Sequence, residues 1–298
     1  MPERPKIPFV PITLLMAFLA FSLSAFGQIH VERDENGRIV ITDQYREKKK
    51  PTVQWDRKGG LLRVFDAKRD VWNPAPKDYP GVAGGRRLFL AYGPGQCGCA
   101  VYDFRRHRWY SLKSGHSQGR VSGSIAVAFD ADGYLHLYDG RRGVWVREKI
   151  PCGQVVLSDE FCSVYGRGYQ TSVYDVSSGK WYSSTNSYDR CLMSQILAVF
   201  FRTGVPGLTA FDRESRQWND SRAGTTEVKV VGDIVAAYDS ARGIAAYSSR
   251  GRKWISFRRK VQTFAIQNGE VLVTAANGER WTYYPGQSGG FTRRYERN

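Results

Sequence analysis

Beyond residue 28 no stretch of this 298-residue chain sustains an apolar period of 3.6, which excludes a helical or mixed architecture. Histidine is scarce, four in all, and His30, His107, His116 and His136 stand at no metal-ligand spacing. The chain has no Gly-Xaa-Ser-Xaa-Gly elbow, no phosphate-cradling glycine loop and no paired zinc ligands. The common nucleophile, metal and phosphate devices therefore have no visible carrier, so neither metal nor cofactor is expected. Carboxylate pairs such as Asp159-Glu160 sit in tight turns, where turn propensity accounts for them. Acidic residues are few: 28 Asp and Glu against 44 Lys and Arg give a net charge of +16.

Long apolar runs are absent too, with one exception. Arg4 and Lys6 precede an almost wholly apolar Ile12 to Phe26, and Ala25-Phe26-Gly27 offers small residues for cleavage before Gln28. Residues 1–27 thus read as a secretory signal peptide, the competing reading being an uncleaved N-terminal membrane anchor. Residues 28–51 form a lead-in, with a strand around Arg38-Ile39-Val40-Ile41-Thr42 and a charged linker, Arg46 to Pro51. That strand is either the inner strand of a first structural unit or an arm completing the last. The cysteines are Cys97, Cys99, Cys152, Cys162 and Cys191. An exported protein meets oxidising surroundings, so a structural bridge within Cys152, Cys162 and Cys191 is expected and an odd thiol remains.

The rest of the chain repeats itself. Trp72, Trp109, Trp145, Trp181, Trp218 and Trp254 lie 36 or 37 residues apart. Six positions ahead of each stands Asp66, Asp103, Asp139, Asp175, Asp212 or Ser248, and an aromatic precedes every one of those. A degraded seventh copy follows at Tyr284 to Phe291. Around each aromatic-Asp pair an apolar run ends, a polar turn follows, and an aromatic-rich run begins at Trp. Asp at a turn start can hydrogen-bond the backbone two residues on, and Gly143 and Gly179 supply the positive φ such turns require. Four short strands per unit, repeated about seven times, predict an all-β fold. The expected form is a seven-bladed β-propeller of four-stranded antiparallel blades over residues 52–298. The aromatic-Asp, five residues, then Trp pattern, as in Val173-Tyr174-Asp175 to Trp181, resembles the second half of a kelch repeat, though most units lack the Gly-Gly pair of that family. The resemblance implies the same propeller fold.

The repeated Trp are expected to be packing residues buried between blades. Aromatics and histidines that break the repeat, Tyr79, His116 and Tyr188, lie in inter-unit loops and are the candidates for ligand contact. Charge concentrates between each turn-start residue and its Trp: Lys68, Arg69, Arg105, Arg106, Arg108, Arg141, Arg142, Arg250, Arg252 and Lys253, together with Lys180, Arg213 and Arg216. Only Asp70 and Glu214 oppose them. Equivalent turns of a propeller emerge on one face, so a basic face for an anionic partner is expected. The function expected is that of an exported, monomeric binding or scaffold module, periplasmic or secreted. Its partner would be an acidic protein, an anionic glycan or a lipid headgroup at a membrane surface, nucleic acid being disfavoured by compartment. A propeller enzyme acting on a carbohydrate at the central channel is the alternative.

Overall fold

The computed structural model describes residues 29–33, 39–43 and 53–294, apart from 114, 149, 167, 287 and 288. The expected signal peptide at 1–27 and the charged linker at 46–51 lie outside the described residues. Two compact units are present, Met1–Asp78 and Tyr79–Asn298. Together they hold seven antiparallel sheets, each built from strands consecutive in the chain, and the fold is an all-β propeller. Apart from a 3-10 turn at Gly95–Cys97, no helix occurs among the described residues.

The first unit carries one sheet of five strands, Ile29–Arg33, Ile39–Asp43, Val53–Lys58, Leu61–Asp66 and Val71–Pro74, paired in that order. Ile39 pairs with Trp55, so the lead-in adds its strands to this first sheet rather than to the last. Leu62, Val64 and Asp66 are buried and alternate with half-buried neighbours, as a strand with one packed face requires.

The second unit carries six sheets, numbered 2 to 7. Sheet 2 runs Gly81–Gly84, Leu88–Gly93, Gly98–Asp103 and Arg108–Leu112. In sheet 3 the outer strand is broken into Val144–Trp145 and Ile150–Pro151, and both pieces pair with Tyr134–Asp139. Sheets 4 to 7 have four strands each, beginning at Gln154, Arg190, Glu227 and Val261.

In sheets 3 to 6 both faces of the inner strands are apolar because each of these sheets lies between two others of the second unit. Alternate residues of one strand go to opposite neighbours. Ile125 and Val127 of sheet 3 pack with Val155 and Val164 of sheet 4, whereas Ala126 and Ala128 meet Leu88 and Leu90 of sheet 2. The same arrangement joins sheets 4 and 5, 5 and 6, and 6 and 7. Each large side chain so buried contributes about 1.5–3 kcal/mol.

Two expectations are sharpened or corrected. The repeated Trp are partly buried on the last strand of their sheets, and Trp145, Trp181, Trp218 and Trp254 pack against the apolar clusters between neighbouring sheets. Of the aromatics before the turn residue, Tyr102, Tyr138, Tyr174, Phe211 and Tyr247 are fully buried. Each Trp lies against that ring of its own sheet, with centroids 5.2–5.5 Å apart from Tyr102–Trp109 to Tyr247–Trp254. The second correction concerns the cysteines. All five are free thiols, so the expected bridge within Cys152, Cys162 and Cys191 is not formed. Cys152 and Cys162 pack as small apolar side chains among Val155, Val164 and Tyr174.

Candidate functional site

The turns joining third and fourth strands start at Asp66, Asp103, Asp139, Asp175, Asp212 and Ser248, as the spacing predicts, and every one of these side chains is at most 1% exposed. Burying a carboxylate is tolerable only if its lone pairs are filled. In Asp139, Oδ1 accepts from the Arg141 and Arg142 backbone N–H groups at 2.8 and 3.0 Å. Its Oδ2 accepts from the Tyr174 hydroxyl at 2.8 Å and from Arg142 Nη1 at 2.7 Å. Tyr174 belongs to the next sheet, 35 residues on. The same latch joins Tyr138 to Asp103 at 3.0 Å and Tyr247 to Asp212 at 2.7 Å. Where Phe211 supplies no hydroxyl, Asp175 instead accepts from Ser177 Oγ at 2.7 Å, from the Ser178 backbone N–H at 3.1 Å and from Arg213 Nε at 3.3 Å.

Besides Arg213, the predicted surface cations Arg106 and Arg142 take part in these joints. Arg106 Nη1 donates to Asp103 Oδ2 and to the Gly140 carbonyl of the next sheet, at 2.8 and 2.5 Å, and its Nη2 reaches the Arg141 carbonyl at 2.8 Å. Arg142 bonds Asp139, Val176 and Ser177 in the same way. Both lie across a glycine. A Cβ at Gly143 would come within 2.3 Å of Arg106 Nε, and one at Gly179 within 2.1 Å of the Arg142 guanidinium carbon. The fourth position after the turn residue takes positive φ whatever occupies it: His107, Gly143, Gly179, Arg216 and Arg252 have φ of 50–74°. Glycine stands there in sheets 3 and 4, the two that receive a clamping Arg. That coupling was readable from sequence: Arg three residues past one Asp, then Gly four residues past the next.

The basic face needs a second correction of detail. A backbone bond from the residue after the turn start ties each turn to the first-to-second-strand turn of its own sheet: Phe104 to Arg87, Gly140 to Ser124, Val176 to Glu160, Arg213 to Ile196 and Ser249 to Asp233, at 2.7–3.1 Å. These companion turns share the face, and three of their acids act on it. Glu160 pairs with Arg141 at 3.3 Å and Arg213 at 2.7 Å, and Asp233 pairs with Arg250 at 3.0 Å. Asp159 accepts a bond from Ser122 Oγ of sheet 3. In sheet 2 the companion turn is itself cationic. Arg86, Arg87 and Arg105 are exposed, sit at adjoining turns and form no ion pair among the described residues. Arg108 stacks on Tyr110 at 4.6 Å and donates to its hydroxyl at 2.6 Å. Arg252 and Lys253 are exposed at the sheet 6 turn. Lys68 and Arg69 are exposed at the equivalent turn of the first unit.

Tyr79, His116 and Tyr188 are 1%, 0% and 8% exposed, so Tyr79 and His116 are closed to a ligand, while Tyr188 lines a small cavity together with Asn186 and Ser187. Tyr188 packs at 6.2 Å on Phe200 and its hydroxyl bonds Thr209. The His116 ring stands edge-on to His136 at 4.8 Å, and His136 Nε2 lies 3.0 Å from Asp130 Oδ2. Among the described residues no group of three His, Cys, Asp or Glu is placed to hold a metal ion. Burial pushes the Cys99 thiol up to about 12 and the Cys152 thiol to about 11, so neither is a thiolate at neutral pH.

No protein-family model matches the sequence, and no curated protein does. Solved structures similar to the chain include BamB from Moraxella catarrhalis, 11% identical, covering 84% of this chain and 89% of that one, with a TM-score of 0.31. They also include Hsv2 from Kluyveromyces marxianus, 14% identical over 72% and 74% of the two chains with a TM-score of 0.30. A computationally designed protein, Ika8, is 12% identical over 83% and 85% with a TM-score of 0.33. At these values the likeness carries no argument about activity or partner, and the propeller fold rests on the seven sheets themselves.

Proposed function

We infer that this chain is an exported, kelch-like propeller acting as a binding or scaffold module, and that its second unit engages an anionic partner (an acidic protein, glycan or lipid headgroup) through the turn end of sheet 2. One observation carries the reading. The repeat places a carboxylate in nearly every turn and then buries it, so its charge is spent on Tyr and Arg inside the fold. Beside acidic companion turns Arg141, Arg213 and Arg250 are paired, whereas Arg86, Arg87 and Arg105 form no ion pair among the described residues. Three unpaired guanidinium groups on adjoining turns focus positive potential outward and suit carboxylate, sulfate or phosphate oxygens.

The test is retention on immobilised heparin and on acidic liposomes, with a variant carrying Arg86→Ser, Arg87→Ser and Arg105→Ser. All three side chains are exposed, so folding is retained. Wild type should bind at low salt and elute as ionic strength rises, because exposed charges are screened beyond about 8 Å at physiological salt. The variant should elute at markedly lower salt. Equal elution of the two proteins would remove the support for an anionic partner at this surface. A preference for heparin over liposomes, or the reverse, assigns the class of partner.

A further inference from the structure

At the opposite end of the strands, between sheets 5 and 6, lies a cavity of about 850 Å³. Its floor is made by small residues: Gly207 where the third strand of sheet 5 begins, Ser221 where the fourth ends, and Ala245 and Ser256 of sheet 6. Arg222, Arg242 and Arg258 line the same cavity, its lining holds no Asp or Glu, and the three arginines form no ion pair among the described residues. Arg242 is already positioned, since its Nη1 donates to the Arg222 carbonyl at 2.8 Å and its backbone N–H bonds Asp239 Oδ1 at 3.0 Å. A guanidinium has five N–H donors in a fixed fork, so most of this donor set stays available.

A second cavity of about 320 Å³ adjoins the first and shares Pro206, Gly207 and Ser221 with it. Its chemistry differs. Ser187 and Asn186 bring polar side chains, Arg202 is turned onto the Ser187 carbonyl at 2.8 Å, and Asp220 brings a carboxylate whose Oδ1 is held by Thr209 at 2.5 Å. A carboxylate with one oxygen held and the other open accepts well from hydroxyl groups, and poorly from anions.

We propose that the two cavities form one trough for a short acidic oligosaccharide, with its carboxylate or sulfate groups on Arg222, Arg242 and Arg258 and its hydroxyl-rich end on Asp220. Size supports this, because ligand sites commonly span about 300–1,000 Å³. So does the Asp220 acceptor beside the arginine donors, which a simple inorganic anion leaves unused. The site is independent of the Arg86–Arg105 surface and does not rest on it.

Calorimetric titration tests the proposal with three probes: a heparin-derived tetrasaccharide, a neutral tetrasaccharide and inorganic sulfate. The acidic tetrasaccharide should bind, the neutral one should not, and sulfate should bind at least tenfold more weakly. Arg222→Ser, Arg242→Ser and Arg258→Ser together should weaken the tetrasaccharide at least tenfold at this site. Asp220→Asn should weaken it severalfold while leaving sulfate unchanged. Because these side chains are exposed, melting curves of the variants should match wild type. The turn-end variant at Arg86, Arg87 and Arg105 separates the two sites: if it alone abolishes tetrasaccharide binding, the trough is empty of function and this inference fails while the earlier one stands. Unchanged affinity in the trough variant, or sulfate binding as tightly as the tetrasaccharide, also overturns it.

Discussion

Tyr174→Phe removes one oxygen atom and leaves the ring, so no cavity opens and the change isolates the latch. Tyr174 is 1% exposed and Asp139 is 0% exposed, with the hydroxyl donating over 2.8 Å to a carboxylate. Breaking a hydrogen bond to a buried charged acceptor costs about 1.5–3 kcal/mol. For a body of this size, about 2–4 °C of melting temperature is lost per kcal/mol, which predicts a fall of about 3–12 °C. Urea unfolding of Tyr174→Phe, Asp139→Asn and the double variant gives the coupling between the two groups, expected at about 1 kcal/mol or more. Burial, then the Asp139 hydrogen bond and charge, hold the Tyr174 phenol well above its ordinary value. A raised folded pKa means stability that is complete below the unfolded value of about 10 and is lost as pH climbs beyond it. Tyr174→Phe should therefore also flatten the alkaline limb of the stability curve. A variant within 0.5 kcal/mol of wild type, or strictly additive single changes, would refute the latch. Sheet 5 supplies a control already: Phe211→Tyr should gain nothing, since Ser177, Ser178 and Arg213 fill the Asp175 oxygens.

The clamps separate structural from surface cations. Arg106→Ser should lower stability by about 1–2 kcal/mol in denaturant titrations, whereas Arg105→Ser should stay within about 0.5 kcal/mol. Gly143→Ala should be at least as costly as Arg106→Ser, because it meets both a φ of 74° and the Arg106 side chain. On the acid side, burial alone would raise the Asp175 carboxyl, but hydrogen bonds from Ser177 and Ser178 outweigh it and hold the group below its usual range. A depressed folded pKa gives stability present above the unfolded value and lost as pH falls through the folded one. Ser177→Ala with Ser178→Ala should thus move the acid-unfolding midpoint to higher pH, as followed by tryptophan fluorescence.

What could be read from sequence was local. An Asp that bonds the amides two and three residues on, an alternating apolar run before it and a Trp six residues after it are short-range facts, and the turns at Asp103, Asp139, Asp175 and Asp212 lie where that pattern puts them. What could not be read was the partner of each group across the stack. Tyr138, Tyr174 and Tyr247 reach back to a carboxylate 35 residues earlier, and nothing in their own neighbourhood says so. The same blindness affected charge. Counting one family of turns missed that Glu160 and Asp233 emerge beside them, and that Arg86 and Arg87 do as well. Tyr79, His116 and Tyr188 looked like exposed exceptions because they break the repeat. Instead Tyr79 and Tyr188 are buried in the segments between strands, and His116 opens the first strand of sheet 3 with its ring in the interior.

The latches are not equally strong along the chain, and this grades the protein mechanically. Carboxylates fasten sheet 3 to sheet 2, sheet 4 to sheet 3 and sheet 6 to sheet 5. Between sheets 6 and 7 Ser248 replaces the carboxylate, leaving two hydroxyls 3.4 Å apart, and the seam relies on Lys229 Nζ donating to the Phe264 carbonyl at 2.8 Å and on apolar contact. Among the seams of the second unit this one has no carboxylate latch, so a load drawn through sheet 7 is expected to part it before the seams between sheets 2 and 3, 3 and 4, and 5 and 6. The second unit is thus a row of unequal links.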